Sequence, residues 1–233
     1  MTFKISIIIP TLNEEKNIFK IYYKIKKYLL DKSYEIIFVD DKSSDNTRYK
    51  ILSLSSQYSN VRYIFRKERN LSTAFLDGIS KAKGKYIVLM DSDLQHSPSD
   101  INKMLNILNN TNYNFVIGSR FLKNSENYSV TIKSKIRILI SKLFIFLINI
   151  IFKIRNSDPL SGFFICKKDS LKDNRNLYKN GFKILLDYLI IKKNKLKIKE
   201  IPITINKRLY GNSKLNIKIF LIFIKQCYFH LSK

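Results

Sequence analysis

The segment 88–96 (VLMDSDLQH) has the residue types and the order to hold a divalent metal ion. An apolar run leads into Asp91, Asp93 and Gln95, which follow one another at every second position. In an extended segment such side chains point the same way, and two neighbouring carboxylates repel each other unless a cation lies between them. Oxygen donors of this kind suit Mg²⁺ or Mn²⁺ shared with substrate phosphates. A solvated loop at a strand end is the alternative interpretation.

The end of the first apolar run carries polar groups that suit a nucleotide. Segment 9–15 (IPTLNEE) passes from Pro10 to Asn13 and Glu14, whose polar groups can contact a base or a ribose. Asn13 can also be interpreted as the N-cap of the next helix, with acidic residues in its first turn. The two interpretations are compatible, so the segment is a candidate nucleotide contact in either case.

A pair of carboxylates follows the second apolar run. Segment 39–47 (VDDKSSDNT) places Asp40 and Asp41 at a predicted strand end. There a carboxylate can accept hydrogen bonds from a base edge or from ribose hydroxyls. Ser44 or Asp45 is expected to cap the helix that follows, and capping is the favoured role for Asp45. The segment therefore predicts a second contact with a nucleotide beside a local structural role.

Basic residues of the second half can bind phosphate. The candidates are Arg120, Arg137, Arg208 and Lys214. A guanidinium binds phosphate through two parallel hydrogen bonds, but in so basic a chain any single arginine is more often a solvated surface residue. The cluster gains meaning only because it accompanies the acidic strand ends.

Short apolar runs alternate with helical patterns through the first half of the chain. Helices are predicted in the gaps between strands at 4–10, 34–40, 62–65, 86–91 and 115–119. This alternation predicts an α/β fold with a mostly parallel sheet and helices on both faces. Ligands bind such sheets beyond the carboxyl ends of the strands, and the candidate carboxylates fall at those ends.

Two later segments are apolar but also basic. Segment 136–154 approaches the length of a membrane span, about 20 residues, yet it contains Arg137, Lys142 and Lys153. An amphipathic helix at a membrane interface fits it better, and a buried core helix is the alternative. Segment 216–231 has the same character and too few apolar positions to span a membrane.

The composition favours acidic partners. Lys and Arg number 43 against 18 Asp and Glu, which gives a net charge of +25. Such a charge suits nucleotide diphosphates, nucleic acid or an anionic membrane, and a compositional bias toward lysine is the alternative cause. The two cysteines are too few for a disulfide framework, so a reducing compartment is expected. No signal peptide is expected before the first strand.

Six motifs occur in order along the chain, and together they carry a resemblance. They are 6–14 (SIIIPTLNE), 39–41 (VDD), 91–96 (DSDLQH), 118–120 (GSR), 158–163 (DPLSGF) and 211–215 (GNSKL). The set resembles the inverting family 2 glycosyltransferases with a GT-A fold. Within them it is most similar to the dolichol-phosphate (polyprenyl-phosphate) mannosyltransferases. The implied organisation is a GT-A, Rossmann-like catalytic domain at 1–215, with an interface-helix region at 129–154, and a C-terminal amphipathic helix at 216–233.

The resemblance implies roles for the matched residues. The expected metal ligands, for Mg²⁺ or Mn²⁺ on a sugar nucleotide diphosphate, are Asp91, Asp93 and Gln95. The expected nucleotide-sugar contacts are Pro10, Asn13, Glu14, Asp41 and Asp91. The expected acceptor-phosphate contacts are Arg137, Ser141, Arg208 and Lys214. The residues expected to act in catalysis are Asp93, Arg120, Arg137 and Arg208.

The chain departs from the family pattern at a few positions. Leu12 replaces a usual tyrosine, Ser92 replaces a usual alanine, and Lys42 replaces glycine or aspartate. Segment 69–74 (RNLSTA) lacks the usual glycine after its basic residue. These departures concern the identity of the nucleotide and the sugar more than the class of reaction.

The expected function is transfer of a hexose, with mannose from GDP-mannose as the leading donor, to a polyprenyl or dolichyl phosphate with inversion. An ionised phosphate monoester needs no general base, but it needs cations that relieve its repulsion from the diphosphate. The expected location is peripheral, on an anionic membrane surface at the cytoplasmic face. Nucleic acid is not an expected partner.

Two alternative functions remain open. A family 2 transferase of cell-surface polysaccharide synthesis would use a saccharide acceptor and a carboxylate base. Asp187, on a predicted helix at 182–192, is the candidate base, and a pair with one of the many lysines is its structural interpretation. The other alternative is a non-catalytic basic module that binds membrane or nucleic acid. The chain lacks the interleaved aromatics of single-strand binders, which disfavours that alternative.

Overall fold

The computed structural model describes residues 3–30, 32–127, 132–172, 176–193, 195–210 and 217–232. The strands of its central sheet are β1 (Ile5–Thr11), β2 (Tyr34–Asp40), β3 (Val61–Phe65), β4 (Tyr86–Leu89), β5 (Phe115–Ser119), β7 (Phe164–Lys167) and β8 (Ile198–Pro202). A separate parallel pair is formed by β6 (Glu126–Asn127) and β9 (Thr204–Ile205). The central order is β3-β2-β1-β4-β7-β5-β8. All neighbours are parallel except β7, which is antiparallel to both β4 and β5.

Helices cover both faces of this sheet. One face packs against α1 (Ile18–Tyr28), α2 (Thr47–Gln57) and α4 (Ser99–Asn110). The other face packs against α3 (Leu71–Lys81), α5 (Ile132–Phe152), α6 (Ile184–Ile191) and α7 (Ile217–Leu231). A short 3₁₀ helix, Lys168–Leu171, follows β7. The predicted α/β fold with a mostly parallel, doubly covered sheet is confirmed.

The side-chain alternation of the strands explains the two layers. In β1, Ile7 joins the core beneath α1 and α4, whereas its neighbour Ile8 joins the core on the opposite face. Successive side chains of a strand point to opposite faces, so a strand between two helical layers must be apolar at nearly every position. All seven residues of β1 are buried for this reason.

The antiparallel strand β7 determines which loops meet at the ligand-binding edge. Parallel strands β1, β2, β4 and β5 end at the same edge of the sheet, and an antiparallel neighbour begins there. The loop before β7, residues 158–163, therefore lies beside the ends of β4 and β5, which it joins through pairs such as Leu89–Phe164 and Ile117–Phe164.

Helices α5 and α7 pack together and leave apolar side chains in solvent. Phe144 of α5 contacts Phe220 and Phe223 of α7, with ring centroids 5.6 and 6.1 Å apart. Exposed apolar residues of the two helices are Leu139, Ile140, Leu143, Phe146, Leu147, Ile150, Ile151, Phe220, Leu221, Ile224, Tyr228 and Leu231. The interpretation of 136–154 as a buried core helix is therefore wrong. Within the described ranges, none of the helices has the length and apolarity to cross a membrane.

Candidate active site

The segment after β4 is a turn that brings Asp93 and Gln95 to one arginine. Nη2 of Arg208 donates to Asp93 Oδ2 at 2.6 Å and to Gln95 Oε1 at 3.2 Å. The turn includes Leu94 with a positive φ of 65°, so the extended backbone expected for 91–95 is wrong. The backbone N–H of Gln95 donates to Asp93 Oδ1 at 3.1 Å, which holds the turn closed.

Asp91 lies at the open side of this turn. Its side chain is 47% exposed, and its Oδ2 is 4.0 Å from Nδ1 of the buried His96. His96 stacks on Phe163, with ring centroids 4.9 Å apart. A Cβ at Gly162 would come within 3.0 Å of Asp91 Oδ2, so the absence of a side chain at Gly162 leaves room for this carboxylate.

The electrostatics of the turn fit a cation. Burial, and then the negative charge of Asp91, raise the pKa of Asp93, while His96 and Arg208 oppose the rise. The guanidinium of Arg208 already lies between a carboxylate oxygen and an amide oxygen, which are donor types that Mg²⁺ and Mn²⁺ prefer. These residues therefore fit a divalent ion.

The protein alone supplies few ligands for such an ion. Across the described part of the chain, no three His, Cys, Asp or Glu side chains form a metal cluster. Magnesium often binds through one or two carboxylates together with substrate phosphates and water. An ion at this turn would depend on a phosphate ligand in the same way.

Arg120 is held by a buried carboxylate. Its Nε and Nη2 donate to the two oxygens of Asp158 at 2.7 and 2.8 Å, and its backbone N–H donates to Asp158 Oδ2 at 3.1 Å. Burial alone would lower the pKa of Arg120, but the hydrogen bonds and charge of Asp158, with the charge of Asp91, raise it. The side chain stays about one third exposed.

Neighbouring contacts join the same two points of the chain. Ser119 Oγ lies 2.6 Å from Ser157 Oγ, and Ser157 donates its hydroxyl to Glu200 Oε1 at 2.6 Å. We call residues 120–158, which leave the sheet after β5 and include α5, the α5 excursion. Side-chain hydrogen bonds therefore join the beginning of this excursion to its end.

The carboxylates after β2 are engaged by resident groups. Asp40 accepts hydrogen bonds from Arg48 Nε at 2.6 Å and from the backbone N–H of Ser43 at 3.1 Å. Asp41 accepts a short hydrogen bond from Arg66 and one from the backbone N–H of Asn70 at 2.9 Å. Burial raises the pKa of Asp41, and Arg66 offsets part of that rise. Asp41 lies at the sheet edge as predicted.

The turn after β1 differs from its capping prediction. Asn13 has a positive φ of 53°, and its Oδ1 accepts from the backbone N–H of Ser44 at 2.9 Å. The N-cap of α1 is Asn17, which makes no side-chain capping bond, so Asn13 as the helix cap is wrong. Asn17 Nδ2 donates instead to Glu14 Oε2 at 2.6 Å. Pro10, at the end of β1, is buried and pairs with Val39.

Asp45 lies between the β1 turn and the start of the next helix. Asp45 Oδ1 accepts from the backbone N–H of Thr47 at 3.0 Å, at the first turn of α2. Asp45 Oδ2 also accepts from the backbone N–H of Glu15 at 3.2 Å. The N-cap of α2 is nevertheless Asn46, which makes no side-chain capping bond, so Asp45 as the helix cap is wrong, and its carboxylate instead joins the β1 and β2 turns.

Sequence reasoning missed Lys183. Its Nζ donates to Leu160 O at 2.8 Å, in the loop before β7. Burial and the nearby charge of Arg120 lower the pKa of Lys183 to about 8, and Asp91 and Asp158 oppose this. The sequence signal that could have identified it is a lysine directly before an apolar helix, 184–191 (ILLDYLII), in which Asp187 is the one charged residue.

Arg66 was also missed. It donates to Asp77 Oδ2 at 2.8 Å and to Asn70 O at 2.8 Å, besides its bond to Asp41. Arg66 directly follows β3, so the rule that places ligands at the ends of parallel strands would have found it.

Asp187 lies away from the turn and has different partners from those predicted. It is fully buried on α6, where its Oδ1 accepts from Gln226 Nε2 at 2.7 Å and lies 2.6 Å from His230 Nε2. Its Oδ2 accepts from the backbone N–H of Tyr178 at 3.2 Å. Pairing of Asp187 with a lysine is therefore wrong, and its Oδ1 faces the C-terminal helix.

Two of the predicted acceptor-phosphate residues, Arg137 and Ser141, lie on α5. Ser141 is a half-buried residue of α5. The side chain of Arg137, on the same helix, lies outside the described residues, as does Lys214.

The candidate site as a whole combines residues of several loops. The structure brings together Asp91, Asp93, Gln95, Arg120, Lys183 and Arg208 by direct contacts or through shared charges and neighbouring loops.

A known protein family matches most of the chain, including the strand ends described above. A family model described as Glycosyl transferase family 2 matches residues 6–175. The chain belongs to glycosyl transferase family 2. The matched part of this family 2 glycosyltransferase contains the strand-end carboxylates and Arg120, whereas Lys183 and Arg208 lie beyond it.

Two curated relatives of the family 2 chain share a name. A dolichol-phosphate mannosyltransferase of Pyrococcus furiosus is 39% identical over 97% of this chain and 63% of its own length. A dolichol-phosphate mannosyltransferase of Saccharomyces cerevisiae is 34% identical over 97% of this chain and 86% of its own length. The chain thus spans less than two thirds of the first relative and most of the second. The predicted resemblance to these transferases is confirmed.

Solved structures confirm the GT-A fold of this family 2 glycosyltransferase. One such structure is glucosyl-3-phosphoglycerate synthase from Mycobacterium tuberculosis in complex with Mn²⁺, UDP-glucose and phosphoglyceric acid. It matches with a TM-score of 0.70 at 17% sequence identity, and the match covers 97% of this chain and 80% of the synthase chain. The same enzyme with Mg²⁺ and UDP gives the same score. At this identity the likeness shows the fold alone.

Proposed function

We propose that this glycosyltransferase transfers a hexose, with mannose of GDP-mannose as the leading donor, to a polyprenyl phosphate, with inversion at the anomeric carbon. The observation that carries the proposal is the set of cations around the Asp91–Asp93 turn, namely Arg120, Lys183 and Arg208. The names of the two curated relatives support the same acceptor class.

The donor side would use the strand-end groups. Pro10, Asn13, Glu14 and Asp41 would line the nucleotide pocket, because they lie at the carboxyl ends of β1 and β2, where ligands of parallel sheets bind. Asp91, Asp93 and Gln95 would hold Mg²⁺ or Mn²⁺, which would supply charge neutralisation to the leaving diphosphate. With the diphosphate bound, Arg208 would be free to exchange Asp93 for a phosphate oxygen.

The acceptor side would need positive charge rather than a base. A phosphate monoester oxygen would form the new bond to the anomeric carbon while the bond to the diphosphate oxygen breaks and its electron pair leaves with the nucleotide. Arg120, Lys183 and Arg208 would relieve the repulsion between the two phosphate groups. Arg137, Ser141 and Lys214 are proposed as further contacts to the acceptor phosphate.

The apolar faces of α5 and α7 would rest on an anionic membrane surface, where the lipid acceptor resides. Exposed apolar area of this extent is typical of interaction surfaces, and the net charge of +25 favours anionic lipids. In this proposal residues 1–215 form the catalytic domain, with 129–154 as its interface region, and 216–233 form a membrane-facing helix. The protein would be peripheral on the cytoplasmic face.

A screen of sugar nucleotides tests the proposal. The full chain is incubated with a polyprenyl phosphate, Mn²⁺ or Mg²⁺, and each labelled sugar nucleotide in turn. We expect label from GDP-mannose to move into the organic phase, and NMR of the product to show an inverted anomeric centre. Chelation of the metal should stop the transfer.

The outcome that overturns the proposal is also specific. Label transferred only to a saccharide acceptor, with none in the organic phase, would support the cell-surface polysaccharide alternative instead. Asp169→Asn is a suitable control for carboxylate substitutions, because Asp169 is exposed and pairs with Lys172 away from the turn.

A further inference from the structure

A buried polar junction joins the C-terminal helix α7 to α6. Gln226, which is fully buried, uses its Nε2 to donate to Asp187 Oδ1 at 2.7 Å and to the backbone carbonyl of Lys183 at 3.1 Å. His230, one turn later, places Nε2 at 2.6 Å from the same Asp187 oxygen. One carboxylate of α6 therefore receives two side chains of α7, and one of them also holds Lys183.

The helix is seated closely at this junction. A Cβ at Gly181 would lie 2.7 Å from Gln226 Oε1, so the segment before α6 can approach α7 only because it has a glycine there. Phe223, which is buried, packs against Phe182 with ring centroids 6.3 Å apart. Segment 181–183 thus lies directly beneath α7.

The other side of the same segment faces the candidate active site. Lys183 Nζ donates to Leu160 O at 2.8 Å, in the loop whose Asp158 holds Arg120 and whose Gly162 adjoins Asp91. The Gly181 carbonyl accepts from the backbone N–H of Ser72, at the start of α3, at 3.4 Å. A change in the seating of α7 would therefore reach both loops that border the site.

We propose that Gln226 and His230 are positioning residues, which couple the seating of α7 to the ammonium group of Lys183 beside the acceptor phosphate. This inference rests on the proposed function, because it assumes a lipid phosphate that arrives at the surface α7 faces. Gln226 acts on Lys183 directly through the backbone carbonyl of Lys183, and His230 acts by fixing the carboxylate that Gln226 shares. Contact of α7 with a membrane would then arrange the site for its lipid acceptor.

A double-mutant cycle tests the coupling. Gln226→Met keeps the volume and removes both donated hydrogen bonds, and Lys183→Met removes the ammonium. We expect Gln226→Met to raise the KM for polyprenyl phosphate about tenfold and leave GDP-mannose affinity within about twofold, and to add less than about twofold when Lys183→Met is already present. Equal effects of Gln226→Met in both backgrounds would overturn the proposal.

A second pair of variants guards against a folding defect. His230→Gln retains a side-chain donor, whereas His230→Phe keeps an aromatic ring without one. Both should fold, and only His230→Phe should raise the acceptor KM. Ser232→Ala, beyond the junction on the same segment, is the matched control, since the Ser232 hydroxyl donates to Phe229 O within its own turn. An equal KM for the two His230 variants would overturn the role of His230.

A labelling readout separates this inference from the proposed function. Trace acetylation of the folded chain measures the reactivity of Lys183 against the exposed Lys179. We expect Gln226→Met to change the relative labelling of Lys183 by about threefold or more, and Ser232→Ala to leave it unchanged. Unchanged labelling in Gln226→Met overturns the coupling. Changed labelling in a chain whose parent makes no lipid product would overturn the proposed function and support the junction alone.

Discussion

The carboxylates at the two sides of the candidate site are held in different ways. After β2, Asp41 accepts from Arg66, and Arg66 also donates to Asp77, Asn70 and Thr73. After β4, Asp93 accepts from Arg208, which also donates to Gln95. Asp91 beside it is about half exposed.

This difference separates a preorganised side from an exchangeable side. Arg66 is bound at several points and buried to 9% exposure, so removing it leaves several unsatisfied groups. Arg208 is more exposed, and the Asp93 and Gln95 oxygens that it bonds can equally bind a metal ion. If the proposed function holds, the nucleotide side is built before the donor arrives, whereas the metal side completes its charge balance with the donor.

Substitution of Asp93 should give the largest effect. Asp93→Asn removes an anionic oxygen from the exchangeable side, and loss of a charged metal ligand should cost about 4 kcal/mol of transition-state stabilisation, or about 1000-fold in kcat. Steady-state transfer assays with Asp169→Asn as the control measure this. Activity within about threefold of the parent, a barrier change under about 1 kcal/mol, would sink the metal assignment.

The two arginines should separate stability from activity. Arg208→Ala should lower kcat/KM by about 30- to 1000-fold, because it removes a charged partner of the phosphates, and shift unfolding little. Arg66→Ala should lower the free energy of unfolding by about 3 kcal/mol, because Arg66 is 9% exposed against 27% for Arg208, and its loss unpairs Asp41, Thr73 and the Asn70 carbonyl together. Urea unfolding and transfer assays on both variants test the pair. Similar stability losses would break the comparison between the two sides.

Membrane binding should depend on the apolar face of α5. Phe146 is 61% exposed, and burial of a phenylalanine side chain is worth about 1.5–3 kcal/mol, so Phe146→Ser should weaken partition onto anionic vesicles about tenfold. Tyr49→Ser is the matched control, because Tyr49 is also an exposed aromatic residue, at 73%, but lies on α2 at the other face of the sheet. Equal losses for the two variants would argue against a membrane face on α5. Carbonate at high pH should strip the parent protein from membranes.

The smallest expected effect is a pH dependence from Lys183. The pKa of Lys183 is lowered to about 8, so the ammonium is charged below that pH and loses its charge as the pH rises through it. The kcat/KM for the lipid acceptor should therefore fall by at most about tenfold between pH 7 and 9, since this ratio reports groups of the free enzyme. Lys183→Arg, which stays charged, should remove the fall. A fall of the same size in Lys183→Arg would assign it to another group.

Much of the fold follows from local patterns, and the site follows in part. The bounds of β2 and β5 match their predictions, because apolar runs between polar turns define buried strands. The turn at 91–95 was missed because Leu94 adopts a positive φ without glycine to announce it. The side chains of Asp91, Asp93 and Gln95 still lie in one region, and Arg208, which is more than 110 positions away in the sequence, bonds both Asp93 and Gln95.

Contacts between distant segments explain the remaining errors. Asp187 pairs with Gln226 and His230, which are 39 and 43 positions away, and no local period reports such a pair. A lysine partner was the natural expectation in a chain with so many lysines. Lys183 was missed for the same reason, because its neighbours Arg120 and Leu160 come from other loops.

The closed base of the α5 excursion makes that segment separable in evolution and in engineering. Residues 38 positions apart are hydrogen-bonded in the pairs Arg120–Asp158 and Ser119–Ser157. The chain therefore leaves the sheet and returns to it at the same place. Lengthening such a loop costs little entropy, about 0.6 kcal/mol for each doubling. A transferase with this fold could therefore have the whole excursion replaced by another segment. The surface to which the protein binds would then change, while the strand ends that carry the candidate site would stay in place.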